Sequence, residues 1–468
     1  TSAEVNRAKH AKKSFAAAWD SQFGSWEYQA VMNQEKGTEI IVDWEDKTSV
    51  RMSAAQLYDI IFEGNNKWML SANGTIFTYE YEAIIPGLLK RWYAERQEMQ
   101  QKMRDCGDNE IEREYWDKRQ LVKKINLNSL YGAILNPGCR FFDIRIGQSV
   151  TLTGRCITKH MASKVNEIVA GKYDHKGESV VYGDTDSVYF SAHKTLTKEI
   201  ESGQVPWTKE SVTALYDKIA QEVNGSFKAF MTKAFHTPST RGEVIRAGRE
   251  LVASKGLFIT KKRYAVLYYD KEGERVDVAG KEGKMKAMGL DLKRSDTPVF
   301  VQDFLSEILY MVLTGKNEKD VLERISEFRS EFKSRPGWEK GSPKRANNMT
   351  KYTEEEERKG RANMPGHVRA SMNWNKCRDM YGDKYSMPIS DGAKVIVCKL
   401  KSNPLGYTSI AYPVDEMRIP EWFKELPFDS EAMESTILDQ KIDNLIGVLD
   451  WDVQSTETTN TFNKLFEF

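Results

Sequence analysis

Two short apolar runs, Val180-Val181-Tyr182 and Val188-Tyr189-Phe190, close around Gly183-Asp184-Thr185-Asp186-Ser187. Such a pattern permits little except a β-hairpin whose tip carries two carboxylates. Alternation along a strand would bring Asp184 and Asp186 to one face, close enough to repel. Hard divalent cations remove that repulsion, because Mg²⁺ is held by a few carboxylates together with substrate phosphates and water. An isolated Asp-x-Asp is more often a turn with a capping role. The apolar strands on both sides favour a metal-binding tip.

Upstream, residues 86–132 place Leu88, Leu89, Trp92, Tyr93, and later Trp116, Leu121 and Ile125, at three- and four-residue spacing, with a break at Cys106-Gly107-Asp108-Asn109. This predicts two long helices in a hairpin, each carrying cations along one face. At its end, Lys124 and Asn128 stand four residues apart and share a helical face. They offer a charge and an amide to a triphosphate, and Tyr131 adds a flat surface for a base pair. Alone, that spacing usually marks a solvated helix face; combined with the acidic hairpin it points to nucleotide chemistry. Further along, the sequence predicts a helix over 148–170, a strand over 262–269, helices over 299–314 and 321–332, a loop over 334–365, and strands over 392–400 and 407–412.

The 468 residues suggest roughly two to four domains. A hydrophobic fraction of 40% and a charged fraction of 29% fit a soluble globular chain, with no apolar run long enough for a bilayer span. A net charge of +1 would by itself argue against nucleic acid. The cations, however, gather in 90–104, 113–124, 255–263 and 281–294, while acids dominate 415–467, so a local basic track is compatible with a neutral sum. The five cysteines show no paired spacing, which indicates neither a zinc ribbon nor a disulfide framework and favours a reducing compartment.

Asn128-Ser129-Leu130-Tyr131-Gly132, followed by Tyr182-Gly183-Asp184-Thr185-Asp186-Ser187 between apolar strands, resembles motifs B and C of the family B replicative DNA polymerases, in wording most similar to those of T-even-like phages. Thr260-Lys261-Lys262-Arg263-Tyr264-Ala265 resembles the strand that grips the primer-template. Residues 284–298 are similar to the passage from palm to thumb, and 367–370 and 392–412 to parts of the phage thumb. The resemblance runs from about residue 75 to the last residue.

It implies an α+β, right-hand polymerase fold: an antiparallel, incomplete palm sheet, helical-hairpin fingers and a mixed, mainly helical thumb. The corresponding segments are 1–85 (remaining amino-terminal palm), 86–135 (fingers), 136–290 (palm), 291–455 (thumb) and 456–468 (clamp-binding tail). By the same resemblance Asp184 and Asp186 are catalytic and hold two Mg²⁺ ions, with Mn²⁺ as a substitute. Lys124, Asn128, Tyr131 and Arg96 bind the incoming dNTP, while Gln100 replaces a family lysine one turn beyond Arg96. Lys261, Lys262, Arg263 and Tyr264 bind DNA, and Leu465, Phe466 and Phe468, in an aromatic cluster on a polar tail, dock on a sliding clamp. The implied reaction is in-line attack of a primer 3′-hydroxyl on the α-phosphate of a deoxynucleotide, in the cytoplasm of a host cell.

No Asp-x-x-Ser-Leu-Tyr-Pro stretch, the family's motif A with its further metal aspartate, occurs in the sequence, and the exonuclease is also missing. The expectation is a split polymerase whose second chain supplies both. Thr1 at the start is compatible with cleavage, splicing or trimming. The rival reading is a catalytically inactive relative that binds DNA and clamp; the repelling carboxylates, kept together, argue against it. A reverse transcriptase fits neither the motif B wording nor the motif order.

Overall fold

The structure, a computed structural model, describes residues 37–453 and Thr456, apart from 44–47, 61–63, 65–66, 279 and 360–362. The fold is α+β, with helices and small antiparallel sheets. The chain divides into two compact units, 1–249 and 250–468. No helix among the described residues is long and apolar enough to cross a membrane.

In the first unit, β1 (Glu39–Asp43) pairs with β2 (Ser49–Ser53), and α1 (Ala54–Tyr58) follows directly, capped by Ser53 and Gln56 in a reciprocal capping box. β3 (Trp68–Leu70) and β4 (Ile76–Thr78) form a second hairpin, with Gly74 at positive φ in its loop. Two long helices follow, α2 (Ile84–Asp105) and α3 (Glu110–Ile134), joined by the four residues that the sequence marks as a break. Asn109 caps α3 by accepting from the Glu112 N–H at 3.2 Å, and Glu110 and Glu112 lie in its first turn, where the helix dipole favours acids. α2 buries no residue and α3 buries Ile134. A pair that buries so little is supported by side-chain pairing along each helix, as Lys102–Glu98 at 2.7 Å and Lys118–Glu114 at 2.7 Å illustrate, and between them by Lys123–Glu95 at 2.5 Å.

α4 (Ile144–Ala170) starts at the Asp143 cap and stops at Gly171 in the left-handed region. It supports the hairpin of β5 (Val180–Asp184) and β6 (Ser187–Phe190) together with α5 (Lys209–Phe235). Val165, Ile219, Val223 and Phe227 form the core there, with Val180 and Phe190 packed against it. Gly147 on α4 permits the close return of the chain from α3, because a Cβ there would meet Leu135 Cδ2 at 2.0 Å.

In the second unit β7 (Leu251–Thr260), β8 (Arg263–Lys271), β9 (Glu274–Arg275) and β10 (Lys284–Met288) build an antiparallel sheet ordered β10-β8-β7, with β9 on β8. α6 (Val299–Thr314) and α7 (Glu318–Ser334) pack on it through Phe304, Leu305, Ile308, Ile325 and Phe328, with α10 (Gln440–Ile446). A second sheet, β11 (Ser342–Ala346), β12 (Ala393–Lys399) and β13 (Ser409–Pro413), packs with α9 (Gly366–Met380) around Trp374 and Phe423. The expected loop over 334–365 is thus corrected: it contains β11 and α8 (Met349–Lys359). Residues 209–235, to which the sequence reading assigns no element, are the helix α5.

Candidate active site

β5 and β6 meet in a two-residue turn, with Asp184 opposite Ser187 in register. The chain reverses at Thr185, whose φ is 51°, and the Asp186 N–H donates to the Asp184 carbonyl at 2.6 Å. An i to i+2 bond about a residue at positive φ is the arrangement of a γ-turn, a strained conformation for a β-branched residue. Asp186 therefore lies in the turn rather than on a strand, and strand alternation does not relate the two acids; the reversal of the chain does. The tip is cross-braced. The Thr185 hydroxyl donates to Asp184 Oδ1 at 3.1 Å, the Ser187 hydroxyl to the Asp184 carbonyl at 3.1 Å, and the Thr158 hydroxyl on α4 to the Thr185 carbonyl at 2.7 Å. Strain held by surrounding contacts of this kind is typical of functional sites.

Asp186 is exposed and Asp184 half-buried. Two carboxylates on a braced backbone are a donor set suited to a hard cation such as Mg²⁺, which takes one or two protein carboxylates and fills its other positions with phosphate and water oxygens. Among the described residues no group of three or more His, Cys, Asp or Glu side chains is placed to hold a metal ion. The pair would fit Mg²⁺ or Mn²⁺ as partial ligation, to be completed by oxygens from elsewhere.

Lys124 and Asn128 are exposed on successive turns of α3, and Lys124 has no ion-pair partner among the described residues. Arg96 on α2 donates to Gln120 Oε1 at 3.2 Å, one turn before Lys124 on the same helix, so Arg96 joins this strip. The hairpin is fastened beside it by Lys123, which pairs with Glu95 at 2.5 Å and lies 5.8 Å from the Trp92 ring centre. Lys102, which follows Gln100, is already engaged by Glu98 and lies 4.7 Å over the Trp116 ring. The Tyr131 hydroxyl donates to the Gly147 carbonyl at 3.2 Å. α4 thus receives the end of the strip at Gly147 and the acidic turn at Thr158, about 16 Å apart along its axis at 1.5 Å per residue.

The remaining expected DNA contacts belong to the second unit. Lys261 and Lys262 form the two-residue tip between β7 and β8; Lys261 is exposed and Lys262 has a φ of 65°. Arg263 is half-buried, 3.6 Å from Asp291 and donating to the Asn444 carbonyl at 3.1 Å. Tyr264 is 8% exposed and stacks on Phe258, with centroids 5.6 Å apart. Leu465, Phe466 and Phe468 lie outside the described residues.

Sequence reasoning missed Thr158, Gln120 and Gly147, which hold the site together. Thr158 and Gly147 lie on a helix whose face toward the hairpin is fixed only by packing. Gln120 could have been found from its four-residue spacing before Lys124.

A family model for DNA polymerase family B matches residues 39–234 and 242–359, starting ahead of residue 75, where the motif resemblance begins, and stopping before α9. The DNA-directed DNA polymerase of Escherichia phage RB69 is 34% identical over 312 residues, covering 63% of this chain and 33% of that protein. That of Enterobacteria phage T4 is 29% identical over 308 residues, again 63% and 33%. The catalytic subunit of DNA polymerase delta from Oryza sativa subsp. japonica is 27% identical over 246 residues, 52% of this chain and 19% of that one. The chain therefore spans about a third of the length of the phage relatives it matches. With the family model covering well over half of its residues, the chain belongs to DNA polymerase family B.

Proposed function

We propose that the chain carries out template-directed DNA synthesis as the carboxy-terminal part of a split, phage-type replicative polymerase. A second chain would supply the exonuclease and motif A. The observation that carries this reading is the braced Asp184–Asp186 turn on the same helix that receives Tyr131 from the Lys124–Asn128 strip. Segments 86–135, 136–290 and 291–455 then act as fingers, palm and thumb. The aromatic Leu465-Phe466-x-Phe468 wording in a polar stretch of sequence favours clamp docking.

Bound Mg²⁺ would polarise the α-phosphate and the primer hydroxyl and stabilise the leaving pyrophosphate. Asp184 and Asp186 would hold it. Lys124, Asn128 and Arg96 would orient the triphosphate by charge-assisted hydrogen bonds, so that positioning lowers much of the barrier. Tyr131, with its hydroxyl fixed to Gly147, would present its ring to the new base pair. Lys261, Lys262 and Arg263 would contact DNA phosphates without reading bases, since the template supplies the sequence.

Primer extension by the chain with its partner is expected to need both polypeptides, and Asp186→Ala is expected to lower the rate by at least about a thousandfold, as for loss of a metal ligand, while primer-template binding stays within about twofold. Robust extension by the isolated chain would refute the split. Undiminished synthesis by the Asp186→Ala assembly would remove the metal role.

A further inference from the structure

Thr158 stands half-buried in the middle of α4, with two carbonyls in reach of its hydroxyl. One is the Gly154 carbonyl of its own helix at 3.1 Å, the other the Thr185 carbonyl at the tip of the β5–β6 hairpin at 2.7 Å. A threonine inside a helix ordinarily donates to the carbonyl four residues back, as Thr151 does to Gly147 at 3.0 Å on this same helix. A hydroxyl has a single proton to donate, and the shorter distance gives it to the turn. The Thr185 carbonyl and the Asp186 N–H belong to one planar peptide unit. That unit is held at both ends, its oxygen by Thr158 and its N–H by the Asp184 carbonyl at 2.6 Å. It joins Thr185, with its φ of 51°, to Asp186, so its tilt sets where the Asp186 side chain leaves the backbone relative to Asp184. The bonds that Thr185 and Ser187 make to Asp184, at 3.1 Å each, lie within the hairpin and move with it, whereas the bond from Thr158 ties the turn to α4. A β-branched residue at positive φ favours relaxation of the turn, and the mutual repulsion of two carboxylates works in the same direction.

We infer, on the reading of that turn as the metal site of DNA synthesis, that Thr158 is a positioning residue for metal binding. By donating to the Thr185 carbonyl it keeps Asp184 and Asp186 in their paired arrangement before a divalent cation arrives. An acidic pair that visits this arrangement only part of the time binds its cation more weakly in proportion to that fraction. Thr158 raises the fraction from outside the ligand set, as the hydrogen-bonding partners of metal ligands do. The role belongs to the hydroxyl and not to the bulk of the side chain, so positioning and packing separate under substitution.

The test uses the chain assembled with its partner. Mn²⁺ binding is titrated by electron paramagnetic resonance without nucleotide, and the same titration of the Asp186→Ala assembly is subtracted, which leaves the Mn²⁺ held by the turn. Thr158→Val keeps the branched shape and removes the proton. It is expected to weaken that binding about fivefold, the worth of one hydrogen bond. The Mg²⁺ concentration for half-maximal synthesis is expected to rise by a similar factor, with excess Mg²⁺ recovering the rate because metal binding selects the paired arrangement. Thr158→Ser restores the donor and is expected to stay within about twofold of the native chain in both measurements. Should Thr158→Val not fold, Thr158→Ala removes the same donor with a good helix former and carries the same expectation. Native Mn²⁺ affinity in the variant lacking the hydroxyl overturns the inference, and so does an equal loss in Thr158→Ser, which would assign the effect to packing. Failure of the underlying reading has a different mark: if the Asp186→Ala assembly binds as much Mn²⁺ as the native one, the turn is not the metal site, and the role of Thr158 falls with it.

Discussion

His160 is buried on α4 one turn from Cys156. Its ring stacks on Phe230 with centroids 4.0 Å apart and 6° between planes, Nδ1 is 2.6 Å from the Tyr173 hydroxyl, and Nε2 is 2.9 Å from that of Ser226. Burial, with help from the charge of Lys164, holds its pKa down to about 4. The unfolded ring titrates near 6.5, so the unfolded chain takes up the proton first as the pH falls. The stabilisation is complete above about pH 6.5 and disappears by about pH 4, amounting to about 3 kcal/mol. Urea unfolding at pH 7.5 and 4.5 is expected to show this loss in the native protein and a smaller one in His160→Gln. Equal losses in both proteins would assign the pH dependence to other groups. At this scale the sequence marked Asp184 and Asp186 as a pair at a hairpin tip but not the geometry of the turn that holds them. Threonine is not a residue that announces a positive φ, and only the bonds from Thr158 and Ser187 explain how Thr185 holds one. Tyr264 looks from its basic neighbours like a surface residue; its burial follows from β10 on one side and Phe258 on the other, and neither is a local property.

The β7–β8 hairpin depends on a residue outside it. Gly289 has a φ of 65°, and a Cβ there would lie 2.0 Å from the Lys262 carbonyl oxygen. Gly289→Ala must therefore move the Lys261-Lys262 tip or strain the backbone, at a cost of about 1–3 kcal/mol. The expected result is a lower unfolding midpoint together with weaker primer-template binding. Full stability and affinity in the variant would mean that this approach is not required. Elements were legible where one face repeats: α2, α3, α4, α6 and α7 all follow apolar spacing of three and four residues. α5 follows the same rule through Val212, Ile219, Val223, Phe227 and Phe230 behind a Thr208 cap, a signal present in the sequence. β11 and α8 were hidden for a physical reason. Ser342-Pro343-Lys344-Arg345 reads as a loop because proline is excluded from central strands, yet β11 is an edge strand, where proline is tolerated. α8 is so rich in Glu and Lys that its apolar side is short.

For the whole molecule, the boundary at 249–250 was invisible because no linker composition marks it; Arg249 pairs with Asp217 at 2.5 Å, and Leu251 already begins a strand. Each unit nevertheless carries its own cores. In residues 250–468 one surrounds Phe304 and Ile325 and another Trp374 and Phe423. Among the described residues the buried Arg329 meets Asp439 at 2.5 Å, Thr456 at 3.0 Å and Glu434 at 3.4 Å, all within this unit. A buried guanidinium left without its acids would cost about 3–5 kcal/mol, so a unit that satisfies its own charge meets one condition for folding alone. A fragment of residues 250–468 is therefore expected to unfold in a single cooperative urea transition, and Asp439→Ala is expected to lower its midpoint sharply by leaving Arg329 short of an anion. A fragment without a cooperative transition would show that these cores need residues 1–249, and an unchanged midpoint in Asp439→Ala would show that the buried charge is held without Asp439.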